Sequence, residues 1–250
     1  MEGKLVTQSV MRLAHKDKLG IEEISNLQDS INQLEILIDG LGFCLSEEGD
    51  LLSQWRGYAS DATGVSIGFS QEYLEWLEKE NRNSSDSLNL FKVEYEIDTH
   101  DQLISPTYQE IRQLFKIENR KHGLLELRSD QQIAEEITAK DKAKQNRSLK
   151  TISLFNYLFL LKSSAFKEEK EWRLVSYISN MRTGECSYRV TEGKIVPYRS
   201  YELRELEKVP ILEVILGPKH STPVHVIKKF LEKNGFGNDI NIRRSKASYR

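Results

Sequence analysis

Ile24, Leu27, Ile31, Leu34, Ile38 and Leu41 follow one another at alternating intervals of three and four residues. That spacing stacks all six side chains along one stripe of a helix. Gly40 or Gly42 is the expected stop. The helical period then gives way to runs that alternate apolar and polar residues, such as "VSIGF" at Val65 to Phe69 and "EWRLV" at Glu171 to Val175. A period of two puts alternate side chains on opposite faces of a strand. Because neither period occupies the whole chain, the expected class is α+β: a mixed, mostly antiparallel sheet with flanking helices.

Composition narrows the setting. The chain has 250 residues, 30% of them charged and 38% hydrophobic, which suits a globular protein with a sizeable core rather than a disordered one. The longest apolar stretches, near Leu154 to Leu161 and Leu34 to Leu41, fall short of the roughly 20 residues needed to cross a bilayer. The first twenty residues carry Lys4, Arg12, Lys16, Asp17 and Lys18 and do not read as a signal peptide. Cys44 and Cys186 are the only cysteines, too few for a disulfide framework or a cysteine-rich zinc site, and they fit a reducing cytoplasm. The expectation is a soluble cytoplasmic protein with no membrane association. The net charge of −2 hides an asymmetry, since residues 217–250 hold eight Lys or Arg against two acids, leaving the remainder near −8.

The predicted elements place one α+β domain over residues 1–250, with an N-terminal helical segment at 1–41 and a helical insertion at about 105–162. Strands are expected at Phe43 to Ser46, Val65 to Phe69, Leu90 to Ile97, Glu169 to Ile178, Ser187 to Thr191, Lys194 to Tyr198, Leu212 to Leu216 and Asp239 to Arg243. Asp50 is the expected N-cap for "LLSQWRGYA", and "SDATG" is a turn. Ser70 caps a helix carrying Tyr73, Trp76 and Leu77, and Asn81 to Ser87 reads as a loop. Ser105 with Pro106 marks a helix start, with later breaks near His122 to Gly123 and Ser129 to Asp130. A last helix runs from about Thr222 to Asn234 and stops at Gly235.

"EEKEWRLV" carries the most chemistry. On an extended strand Trp172 and Leu174 point one way while Glu169, Glu171 and Arg173 point the other, spaced by roughly 6.5 Å. A sheet with one face in water tolerates such a ladder as structure. If the face lines a cleft instead, Arg173 holds one carboxylate ionised and leaves the other to bind a hydroxyl or take a proton.

Three further stretches bear on the same question. Trp55 and Tyr58 lie three apart on one helical face, where core packing is the default. Arg56 points elsewhere, so Arg56 and Ser46 are candidates to reach a cleft from the strand-to-helix connection. In "LGPKHSTP" the backbone N–H groups of the coming helix, with Lys219 and Ser221, offer a phosphate seat; the competing reading is an ordinary turn capped by Ser221 or Thr222. His220 and His225 have no matching acidic or cysteine ligands nearby, so no metal is expected. The tail "RRSKASYR" is basic enough for weak contact with nucleic acid but belongs to no recognised binding motif.

Taken together, these stretches resemble an uncharacterised bacterial family, domain of unknown function 2971. The likeness rests on Cys44, Leu45, Ser46, Trp55, Tyr58, Ala59, Gly64 and "VSIGF", on the Glu-x-Glu-Trp-Arg signature in "FKEEKEWRLV", and on the closing elements "VPILEVILGPKHS" and "IRRSKASYR". It spans about Gly42 to Arg250 with the middle helices unmatched. The family's usual opening strand, rich in tyrosine or histidine, has no counterpart before Phe43, where the chain instead opens with "MEGKLVTQSVMRLAHKDKLG".

The family's order of features is in turn distantly similar to ADP-ribosyltransferases. That resemblance implies catalytic roles for Glu171, bonding the ribose of NAD, and Glu169, orienting an acceptor. Under it Arg173 holds a phosphate or neutralises Glu171, and with Ser46, Arg56, Tyr58, Lys219 and Ser221 it makes up the expected substrate- or phosphate-binding set. The implied function is a nucleotide-processing, NAD-using effector of a bacterial defence or toxin system, with a nucleotide or protein acceptor. The alternative is a noncatalytic binding or protein-interaction module with a structural Glu-Glu-Arg ladder, in which the Ile24 to Leu41 helix meets a second copy or a partner protein.

Overall fold

In the computed structural model, residues 3–81, 87–120, 128–179, 186–191, 193–203, 209–237 and 239–249 are described, with the backbone alone at 34–38 and 179. They form two compact units, each drawing on separate stretches of the chain. The first gathers Met1–Gly40, Lys92–Lys167 and Ile178–Thr183; the second gathers Leu41–Phe91, Glu168–Tyr177 and Gly184–Arg250. The N-terminal helical segment and the middle helices thus share one core.

The first unit is helical: α1 (Gly3–Lys16), α2 (Ile21–Leu37), α5 (Ile97–Glu118) and α6 (Asp130–Ile152), followed by a 3-10 segment Ser153–Phe159. Val6, Val10 and Ala14 repeat every four residues along α1 and are fully buried, joined in the core by Leu27 and Ile31 of α2 and by Leu154 and Leu161. The stripe read from α2 is therefore spent inside the chain's own core at Leu27 and Ile31. The helix ends at Leu37, so Ile38 and Leu41 sit on a strand, and neither Gly40 nor Gly42 is its stop. Gly40 has another reason to be glycine, because a Cβ there would run into the Phe159 ring.

Helix α5 begins at Ile97, so Pro106 lies inside it instead of opening it. A proline in mid-helix removes one hydrogen bond and favours a kink. Here His100, Ile104, Tyr108, Ile111 and Phe115, all buried and spaced by three or four, carry the helix through. Burial outweighs the local preference. Polar ties also pin α5: Asp101 receives Arg12 Nη2 at 2.7 Å and the Ser9 hydroxyl from α1, and Arg112 reaches Asp17 at 3.2 Å. Ser129 caps α6 in a reciprocal box with Gln132, at the break expected there. The break expected near His122 to Gly123 lies outside the described residues, as does most of the loop at Asn81 to Ser87.

The second unit holds the sheets. One has the order β1-β4-β3, from β1 (Ile38–Ser46), β4 (Glu171–Ser179) and β3 (Leu88–Lys92). Another has the order β2-β7-β8, with β2 (Val65–Phe69) antiparallel to β7 (Ile211–Leu216) and β8 (Asn241–Arg244) parallel to β7. A separate ribbon pairs β5 (Ser187–Thr191) with β6 (Lys194–Tyr198), antiparallel. The class is α+β, with three small sheets among the described residues where one mixed sheet was expected.

Helix α3 (Leu52–Tyr58) follows β1, α4 (Gln71–Asn81) packs Tyr73 and Leu77 against Leu88 and Leu174, and α7 (Val224–Lys233) precedes β8. Ser70 does accept from the Tyr73 N–H at 3.2 Å, as a cap should. At α7 the N-cap is Pro223, which has no side-chain acceptor, so neither Ser221 nor Thr222 fills that place. Gly235 follows α7 at φ +84°, a left-handed position that suits glycine.

Candidate functional site

Strand β4 starts at Glu171, not Glu169. Ser164–Glu169 is a 3-10 segment, and Lys170 takes φ 42°, which turns the chain before the strand begins. Strict alternation therefore applies to Glu171 and Arg173 alone, and Glu169 stands half-buried off the ladder. The reversal at Lys170 is held from β1: Glu47 N donates to Lys170 O at 3.1 Å and Lys170 Nζ meets Glu48 Oε1 at 2.5 Å. Ser46 Oγ donates to Glu169 O at 2.7 Å and itself accepts from Glu48 N at 3.0 Å. Ser46 is thus a bracket between the two backbones.

Glu171 and Arg173 face each other in a two-pronged pair, with Nε 2.7 Å from Oε1 and Nη2 3.0 Å from Oε2. Both residues are buried, at 4% and 6% exposure. The opposite face is not the simple apolar one expected: Leu174, Ser176 and Ile178 are buried, while Trp172 is half-buried with its indole N–H on Glu47 Oε1 at 2.8 Å. A fork-and-carboxylate geometry of this kind fixes orientation as well as charge.

Other nominated residues meet elsewhere in the second unit, around the turn at residues 60–62. Ser60, Asp61 and Ala62 have φ 47°, 54° and 69°, three successive left-handed residues without a glycine. Such backbone costs about 1–2 kcal/mol per residue. It is held by Ala62 N to Trp55 O at 2.9 Å, Gly64 N to Ala59 O at 2.9 Å and Lys219 N to Ala62 O at 3.0 Å. Gly217 must pass against this turn, since a Cβ there would sit 2.9 Å from Gly64 O and closer still to Ala62 O. Ala62 packs with Trp55 and Ile215 in a small apolar bed.

Asp50 does not cap α3; the cap position is Leu51. Its carboxylate instead collects Trp55 Nε1 at 2.8 Å, the Lys246 N–H at 2.8 Å, the Ser245 hydroxyl and Arg243 Nη1 at 3.3 Å. Burial pushes the Asp50 carboxyl up, but the bonds from Ser245, Lys246, Trp55 and Arg243 together outweigh it and leave the group below its ordinary value. Arg243 also grips Glu213, with Nε at 2.8 Å, which helps raise its own pKa.

Asp61 is the second anchor. It accepts from Lys219 Nζ at 2.8 Å and from the Tyr249 hydroxyl. Lys219 Nζ and Arg56 Cζ lie over the Tyr249 ring, 3.8 Å and 5.2 Å from its centroid. Of the nominated set, then, Ser46 joins the backbone of Glu169, Glu171 joins Arg173, and Arg56 and Lys219 join one another at Tyr249. Tyr58 is 76% exposed while Trp55 is 3% exposed, so the pair expected to pack together is split. Ser221 is exposed ahead of α7.

The sequence reading missed Asp50, Asp61 and Tyr249 as anchors. The Ser-x-x-x-Tyr spacing of the tail was the available signal: Ser245 reaches Asp50 and Tyr249 reaches Asp61. Among the described residues, no cluster of three or more His, Cys, Asp or Glu side chains is arranged to hold a metal ion, and no helix is long and apolar enough to cross a membrane.

No curated protein and no solved structure matches the chain. Residues 54–174 match the model of a family described as protein of unknown function (DUF2971), a stretch that opens just before Trp55, takes in the middle helices and closes just after the Glu171–Arg173 pair.

Proposed function

We propose that the chain is a noncatalytic binding module in which the Glu171–Arg173 pair is a structural strut. The observation that supports this reading is the engagement of both Glu171 oxygens by Arg173 in a buried setting, with Glu169 off the strand. Two carboxylates working as an acid and a base, or as a ribose holder and an acceptor guide, need separate access to substrate. A carboxylate gripped on both oxygens by its own neighbour is suited to holding a strand in place. Removing one partner of such a pair costs about 3–5 kcal/mol, because the other charge stays buried without compensation.

The second reading is an NAD-using ADP-ribosyltransferase-like effector. Its support is the dryness of Glu171, since a fixed carboxylate in a water-poor setting stabilises positive charge developing on a sugar. One experiment separates the two: NAD consumption and ADP-ribosyl transfer measured for the wild type and for Glu171→Gln, alongside thermal denaturation. The module reading expects no NAD turnover by either protein and a lower midpoint for the variant. NAD cleavage by the wild type that disappears in a still-folded Glu171→Gln protein overturns it in favour of the transferase.

A further inference from the structure

Residues 245–249 run back over the turn at residues 60–62 as a strap. Ser245 N donates to Leu216 O at 2.8 Å, Lys246 N to Asp50 Oδ2 at 2.8 Å and Ala247 N to Ser245 Oγ at 3.0 Å. Past these anchors the contacts of Tyr249 are made by its side chain: the ring rests on the apolar bed of Trp55, Ala62 and Ile215, and the hydroxyl donates to Asp61. Lys219 and Arg56 lie over the ring.

The seat under Tyr249 thus has a flat apolar base, two cations that favour a π-face, and a carboxylate that accepts from the ring's edge. That carboxylate is presented by three consecutive left-handed residues, and backbone strain of this kind concentrates at ligand clamps and switches. The phenol answers only part of what the seat offers. It fills the ring position and donates one hydrogen bond, yet it brings no negative charge, which leaves Asp61, already paired with Lys219 at 2.8 Å, to face two cations. A planar base with an exocyclic amine and an attached phosphate answers all of it: the ring takes the cation-flanked position, the amine donates to Asp61, and the phosphate meets Lys219 and Arg56.

We propose that the seat formed by Arg56, Asp61 and Lys219 binds an amino-purine nucleotide, and that Tyr249 is a built-in occupant which the nucleotide displaces. The proposal rests on the binding-module reading and gives that module its ligand class. An internal occupant lowers apparent affinity by the fraction of time the seat is closed.

The test is calorimetric titration of the full chain with ADP, inosine diphosphate and pyrophosphate, for the wild type, Tyr249→Ala, Tyr249→Phe and Lys219→Met. The expected result is ADP binding about tenfold tighter in Tyr249→Ala, as removal of a seat-filling competitor requires. Tyr249→Phe, which keeps the ring on its bed and loses only the bond to Asp61, is expected to gain less. Lys219→Met is expected to lose binding, and inosine diphosphate, lacking the amine, to bind more weakly than ADP.

Because Tyr249→Ala removes packing and can unfold, a second readout uses the unaltered protein. Trypsin cleavage after Lys246, followed by mass, is expected to quicken severalfold when ADP lifts the strap. ADP affinity that is equal in the wild type and Tyr249→Phe, with cleavage unaltered by ADP, overturns the displacement while leaving a binding module standing. Absence of ADP binding in every protein, or pyrophosphate binding as tightly as ADP, overturns the ligand assignment. NAD turnover, measured separately, is what removes the module reading itself.

Discussion

The helical unit and the sheet-bearing unit reach stability by different routes. In the first, Val6, Val10, Ala14, Leu27, Ile31, Ile104, Tyr108 and Ile111 are all at most 1% exposed, and the charge pairs lie around this aliphatic core. Arg147, for example, grips Glu118 at 2.7 Å and lies over the Phe115 ring. In the second, apolar clusters are small and the polar anchors tie distant stretches together: Asp50 to Ser245 and Lys246, Asp61 to Lys219 and Tyr249, Glu171 to Arg173. A core built from many dispersion contacts degrades by increments when one is removed. A core closed by a few satisfied polar hubs is more sensitive to the loss of any one.

The placement of the tryptophans makes this contrast measurable. Trp55, Trp76 and Trp172 are the only three in the chain and all fall in the sheet-bearing unit, so their fluorescence reports on that unit, whereas far-ultraviolet circular dichroism is weighted toward the helices. The largest expected effect is that of Glu171→Gln, a loss of about 3–5 kcal/mol for a broken buried pair, seen first in tryptophan fluorescence. Leu27→Ala is expected to cost about 2–5 kcal/mol through transfer and cavity, seen first in the dichroism. If both substitutions shift the two signals equally, the units do not unfold separately and the contrast fails.

A smaller effect sharpens the comparison inside the second unit. Gly217→Ala places a Cβ against Ala62 O and Gly64 O, backbone atoms that cannot swing aside. The expected loss is about 1–3 kcal/mol, as for overpacking, read from urea unfolding followed by fluorescence. No measurable loss would mean that the turn at residues 60–62 relaxes easily and that its left-handed geometry is not tightly specified.

The same contrast explains what the sequence disclosed. Leu27 and Ile31 are legible because a helical stripe is written in local spacing, and so is the break at Ser129 to Asp130, although the cap that Ser129 forms there was not read. Glu169 was misplaced because the reversal at Lys170 is a backbone angle that strict alternation hides. Pro106 was read as a helix start because local preference favours it there, while the burial that carries α5 through it comes from other helices. Asp50 reads as a cap because its partners Ser245 and Lys246 are 195 and 196 residues away. Of the candidate site, the residue types were visible; which of them share a surface was not.

Acid is the mildest way to separate the units. Asp50 in the second unit and Asp101 in the first are both held below the ordinary carboxylate value of 3.8: burial raises each, and hydrogen bonds, from Ser245, Lys246, Trp55 and Arg243 for one and from Arg12 and Ser9 for the other, more than reverse it. A carboxyl whose folded pKa lies below its unfolded one contributes stability that is complete above the unfolded value. That contribution disappears as pH falls from about 4 through the folded value, because the unfolded chain takes up the proton first. Both signals should therefore weaken below about pH 4 in the wild type. Asp50→Asn removes the group that titrates in the second unit, so fluorescence should begin from lower stability and change less with acid, while dichroism keeps its slope. If the fluorescence slope is unaltered, Asp50 is not the carboxylate on which the closure of the tail depends, and the acid sensitivity belongs to its neighbours.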